Sequence, residues 1–169
     1  LQGHAESQNP QHHAELLGLG VHTTMVRLLE APNASDVVKG AAGGVLQNLA
    51  LLDSNIDPLV DAGCVEALAR RLTVGVHPLG RESAADCLLN LASTARGKST
   101  IGSSTAALGG LVALAAEPKP TRPSAQATSM AVLGCCLQDA ENWMAVVKAG
   151  GLRAAVSMLR RPDTTAAGR

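Results

Sequence analysis

Lys98 has the most enzyme-like surroundings in the chain. Ala92-Ser-Thr-Ala-Arg-Gly97-Lys98-Ser99 fits a relaxed phosphate-binding loop with Ala in place of the first Gly. Such a loop cradles phosphate with backbone N–H groups between a buried strand and a helix N-terminus. Here Leu88 to Ala92 reads as the end of a helix, and Thr100-Ile-Gly-Ser-Ser is a poor helix start. Nucleotide binding through Lys98 is therefore the remote alternative, and no cofactor is expected. Other catalytic sets are thin. His4, His12 and His13 lie in a polar N-terminal stretch, His22 on a helix, and His77 before Pro78. None has a nucleophile or carboxylate at a spacing that a helix would bring together. Cys64, Cys87, Cys135 and Cys136 sit in apolar helical patterns without CxxC spacing, and read as buried intracellular thiols, not as metal ligands. No catalytic or metal-binding residue is expected, and the sequence predicts a non-enzymatic protein.

Composition narrows the classes further. Apolar residues make up 46% of the 169 and charged residues 17%, so a core can be buried. Aromatic content is only 1%, with Trp143 as the single Trp and no Phe or Tyr. Small and aliphatic residues must fill the interior, which favours closely packed helices. Lys+Arg and Asp+Glu each number 14, leaving no basic surplus for nucleic acid or an anionic membrane surface. The apolar run from Ala106 to Ala116 is too short to span a bilayer, and no signal peptide opens the chain. An intracellular, cytoplasmic setting is expected, with nuclear or ciliary settings as alternatives. The chain begins with Leu and reads as a piece of something longer.

The residues that remain for chemistry are amides on a repeated helix. Ala41-Ala-Gly-Gly-Val-Leu-Gln-Asn-Leu-Ala50 aligns without gaps with Ser83-Ala-Ala-Asp-Cys-Leu-Leu-Asn-Leu-Ala92, which places Asn48 and Asn90 42 residues apart. A second signature follows each: Gly63-Cys-Val-Glu-Ala-Leu68, then Gly109-Gly-Leu-Val-Ala-Leu114. Gly150-Gly-Leu-Arg-Ala-Ala-Val156 is a third copy and Gly20-Val-His-Thr-Thr-Met25 a degraded first one. The glycines step by 43, 46 and 41 residues, and the third long helix carries Cys135 where the others carry Asn. Ala42, Val45, Leu46 and Leu49 mark one helical face, and Ala84, Cys87, Leu88 and Leu91 repeat it. No strand alternation is visible.

These two co-registered signatures resemble the armadillo repeat family over roughly residues 16 to 160. The resemblance implies an all-α, right-handed α-solenoid of about three repeats plus a partial N-terminal one. The expected divisions are a flexible tail at 1–14, the end of a partial repeat at 15–32, repeats at 33–76, 77–118 and 119–161, and a frayed end at 162–169. Residues 93–104 then form a link between helices, longer than its counterpart by four residues. Repeats of this kind stack because none covers its apolar face alone, so flanking repeats of the same chain are expected partners. In the family the long helix lines a concave groove, and its Asn points into it. Carried over, that names Asn48 and Asn90, whose amides can pin an extended peptide backbone. Residues sharing that face are Ala41, Gly44 and Leu51, then Ser83, Asp86 and Ser93, with Thr128, Ala131 and Gln138 around Cys135.

The expected partner is another protein, as an extended peptide or a helix, with no nucleic acid and no membrane insertion. Gly44 and Asp86 stand where nuclear-import adaptors of the family place Trp, which speaks against basic cargo. Gly80 to Leu91 also resembles repeats of U-box-type ubiquitin ligases and of vacuolar and ciliary scaffolds. The functional expectation is a scaffold. Its alternatives are the substrate-binding region of such a ligase or a ciliary or cytoskeletal assembly scaffold. Trp143 is expected to pack inside the stack.

Overall fold

A computed structural model of the chain describes residues 9–73, 75–118 and 122–159. These residues hold helices joined by short turns, and no strand. Their order is α1 (Pro10–Gly18), α2 (Val21–Glu30), α3 (Asp36–Leu49), α4 (Ile56–Asp61), α5 (Cys64–Arg71), α6 (Pro78–Leu91), α7 (Ala95–Ser103), α8 (Thr105–Ala116), α9 (Pro123–Cys136), α10 (Trp143–Ala149) and α11 (Gly151–Leu159). Single 3₁₀ turns, Asp53–Asn55 and Ala140–Asn142, lead into α4 and α10. The architecture is an all-α right-handed solenoid. The expected segments 33–76 and 77–118 each contain one long helix and the two that follow it, and α1 and α2 precede the first.

Local chemistry explains the helix limits. Ser35 and Thr94 cap α3 and α7 by accepting backbone N–H bonds from Val38 and Gly97. Pro78 and Pro123 open α6 and α9 at the position where a missing N–H costs nothing. Gly20, Gly63 and Gly150 take φ of 71°, 83° and 95°, the left-handed turn that joins a first helix to a second. The core runs unbroken through the stack, with Leu46, Leu49, Leu59, Leu68, Leu88, Leu111 and Leu133 essentially excluded from solvent.

Four expectations are corrected by this arrangement. Residues 10–14 are not tail but the first half of α1, and His13 there is buried at 4% exposure. Asn55 explains why, because its amide nitrogen donates to His13 Nδ1 at 3.0 Å and ties α1 to the following repeat. The expected link 93–104 contains the helix α7. Gly109 is not the counterpart of Gly63, since it lies inside α8. The turn before that helix is made by Ser104, whose hydroxyl accepts from the N–H of Ala107. Neighbouring Gly110 sits where a Cβ would come within 2.8 Å of Leu72 Cβ, so this glycine serves helix contact. Lastly, Trp143 is 57% exposed, and its indole N–H donates to the carbonyl of Leu137 just beyond α9. The tail at 1–8 and the end at 162–169 lie outside the described residues.

No single helix among the described residues is long and apolar enough to cross a membrane. The α7–α8 pair reaches that length only together and is bent by 86°.

Candidate functional site

The three long helices are each 14 residues and stand side by side, α3 against α6 and α6 against α9. Asn48, Asn90 and Cys135 each occupy the thirteenth position, one residue before the helix ends. The register read from sequence therefore holds in space. Asn48 is exposed and has no side-chain partner among the described residues. Asn90 is half-buried, and its Nδ2 donates to the carbonyl of Gln47 at 3.2 Å. That bond uses one amide hydrogen to join two long helices and leaves Oδ1 unbonded among the described residues.

The rest of the expected face divides by role. Ala41 and Ala131 are exposed, and Gly44 has no atom within 4 Å of where a Cβ would stand. Thr128 donates its hydroxyl to Asp86 Oδ1 at 3.0 Å, linking α9 to α6. Ser93 donates to Asp53 Oδ1 at 2.6 Å, and Lys98 Nζ donates to Gln138 Oε1 at 3.3 Å. Ser93 and Gln138 sit two residues past their long helices and reach back to the repeat before, so both serve the stack. Leu51, at the same position in the first long-helix segment, is 46% exposed. Ser83 faces α3 at the edge of a cavity.

Charge on this face is uneven. Glu82 on α6 accepts from Ser124 and pairs with Arg122. The Ser124 bond, aided by Arg122 and opposed by burial, holds its carboxyl below the usual value. Burial pushes Asp86 the other way, above the usual value, with Glu82 adding to the rise and Thr128 opposing it. Both carboxylates are engaged from the α9 side of α6. On the α3 side, the Arg71 guanidinium donates to Asp36 Oδ1 at 2.9 Å with its side chain only 8% exposed.

The phosphate-loop expectation meets a different geometry. Helix α6 precedes the segment, and the N–H of Gly97 is taken by Thr94 Oγ1 at 3.1 Å. The Lys98 carbonyl accepts from Asn142 Nδ2 at 3.2 Å. A Cβ on Gly97 would come within 1.7 Å of the Leu91 carbonyl, so this glycine answers to close packing. The cysteines are free thiols. The Cys136 thiol is pushed up to about 11, mainly by burial, and a bond with Cys64 together with burial pushes the Cys87 thiol well above its usual value. No group of His, Cys, Asp and Glu that could hold a metal ion occurs among the described residues.

The sequence reading passed over Asn55 and Asn142, both about 95% or more buried. Asn55 Nδ2 donates to Leu49 O at 2.8 Å as well as to His13, and Asn142 donates to Lys98 O. Each ties a first helix to the repeat before it. Their signal was present: Asn-x-x-x, an aliphatic pair, one residue, then Ala-Gly, at 55–63 and again at 142–150.

Comparison with solved structures agrees with this geometry. Two engineered proteins align with the chain at TM-scores of 0.80 and 0.79 with 26% identity, over 94% of this chain and 63% and 64% of theirs. A designed armadillo repeat protein in complex with the peptide (KR)4 aligns at a TM-score of 0.79 with 21% identity, over 94% of this chain and 64% of that one. The chain thus spans less than two thirds of these proteins. No protein-family model and no curated protein matches the sequence. The α-solenoid is an armadillo-like repeat fold.

Proposed function

We propose that the chain is a protein-interaction module, and that the face shared by α3, α6 and α9 is a groove holding an extended segment of another protein. One observation carries the reading: Asn48, Asn90 and Cys135 recur at one position of three parallel helices, and Asn48 is exposed with its amide unspent. A free amide offers an NH₂ donor group and a carbonyl acceptor, which match a peptide backbone and leave the side chains unread. The small residues beside it, Ala41 and Gly44, allow a chain to approach closely. A designed protein of the same fold was solved with a peptide bound, which supports this use of the fold.

The test is capture of peptides from a displayed random library by the whole chain. Asn48→Ala removes no side-chain hydrogen bond within the described residues, so helicity by circular dichroism stays constant. Affinity for selected peptides falls about fivefold, the worth of roughly 1 kcal/mol of hydrogen bonding. Selected peptides that bind Asn48→Ala and Asn90→Ala as tightly as the parent chain refute the groove.

A further inference from the structure

The N-terminal ends of α3 and α6 leave a mainly apolar slot of about 500 Å³ between them. Val37 and Leu79 line it while remaining 82% and 52% exposed, so two aliphatic side chains face water at its mouth. Arg71 lines it too, and is the contrast. Its side chain is 92% buried, yet its one hydrogen bond among the described residues is from Nη1 to Asp36. A guanidinium carries five N–H donors in a planar fork. A buried cation left with most of them unpaired is a strong site for an oxygen acceptor.

Space for that acceptor is built into α6. A Cβ on residue 80 would lie 2.7 Å from Arg71 Nη2, so Gly80 keeps the second edge of the fork uncovered. The charges nearby permit an anion on this side. Asp36 is 58% exposed, and water screens it. Glu82 and Asp86 are held from the opposite side of α6, by Arg122, Ser124 and Thr128. Ser83 lines the slot and lies on the same helical face as Asp86 and Asn90, so the slot opens into the proposed groove.

We propose that this slot selects a peptide in which an aliphatic side chain is followed by a glutamate. The aliphatic group lies against Val37 and Leu79, and the carboxylate bridges to Arg71. The proposal rests on the groove reading above and names the sequence that the groove prefers.

Three capped tetrapeptides, Ala-Leu-Glu-Ala and its Gln and Lys versions, serve as probes, with NMR methyl shifts of Val37 and Leu79 as the readout. Replacing Arg71 risks the fold, so the variants are Asp36→Asn and Val37→Glu, both at exposed positions. The Glu peptide is expected to bind about tenfold tighter than the Lys peptide, the scale of one charge-assisted bond. Asp36→Asn, which removes a like charge, should tighten the Glu peptide about fivefold and leave the Lys peptide no better. Val37→Glu should abolish the shifts. Equal affinity for the three peptides, or no gain from Asp36→Asn, overturns the proposal. If library-selected peptides still depend on Asn48, that failure belongs to the slot alone; if they do not, the groove itself is refuted.

Discussion

Replacing Asn55 with Ala should unfasten one end of the protein without melting the rest. The Asn55 side chain is 97% buried and holds two acceptors at once, the Leu49 carbonyl that ends α3 and His13 Nδ1 on α1. Truncation removes both bonds and leaves the Leu49 carbonyl with only a long 3.5 Å bond from the Leu52 N–H. Each buried bond lost costs about 0.5–1.5 kcal/mol, giving about 1–3 kcal/mol together. Against a total of about 5–15 kcal/mol for a domain, that is a large share. A repeat stack responds locally, because each unit touches only its neighbours. Hydrogen exchange read by mass spectrometry should therefore show protection lost in α1 and α2 and kept in α8 and α9. Asn142→Ala breaks one bond, to Lys98 O, so it should cost about half as much and loosen α10 and α11 instead. A His13→Ala, Asn55→Ala double-mutant cycle should give a coupling of about 1 kcal/mol. Protection lost evenly along the chain in both variants, or a coupling near zero, would refute the picture of two separate clasps.

Leu88 is fully buried in the last turn of α6, so Leu88→Ala should cost about 3–5 kcal/mol in urea unfolding. Gly63→Ala forces a side chain into a φ of 83° and should cost about 1–2 kcal/mol, whereas Gly109→Ala, mid-helix with open space, should raise the melting temperature slightly. The two α6 carboxylates should respond oppositely to pH. Asp86 is raised in the folded chain, so its contribution is present at low pH and fades as pH climbs past the ordinary aspartate value; Asp86→Asn should stabilise near pH 7. Glu82 is lowered, so its contribution is present above the ordinary glutamate value and fades on acidification; Glu82→Gln should flatten the acid side of a urea-midpoint profile.

What could be read from sequence was whatever repeats. Ala42, Leu46 and Leu49 recur as Ala84, Leu88 and Leu91 because both faces meet the same core, and all six are buried. The thirteenth-position register of Asn48 and Asn90 followed from that face. What stayed hidden depends on contacts between distant segments. Arg71 ends α5, where a cation is expected to face water, but Asp36 draws it inward from 35 residues away. His13 looked like a solvated tail until Asn55 claimed it across 42 residues. Gly109 misled because a Gly-Gly pair before an apolar run imitates a turn. Ser104 does the turning there with an ordinary φ of −83°, leaving Gly110 to admit Leu72.

The candidate groove inherits its asymmetry from these same long-range contacts. Helix α6 is the shared wall, and its two sides are wired differently. Toward α9 it spends Glu82 and Asp86 on Arg122, Ser124 and Thr128, so that seam is closed by polar bonds. Toward α3 it offers Gly80 and Ser83, with one amide bond from Asn90 to Gln47 far down the helix and an open slot at the other end. The side chains that rigidify one seam are therefore absent from the other, and exposed apolar surface accumulates where they are missing. A third rung of the Asn ladder is also missing, since Cys135 offers no amide. A bound segment would accordingly gain most along α3 and α6, where the free amide of Asn48, the Oδ1 of Asn90 and the unspent donors of Arg71 lie, and little from α9.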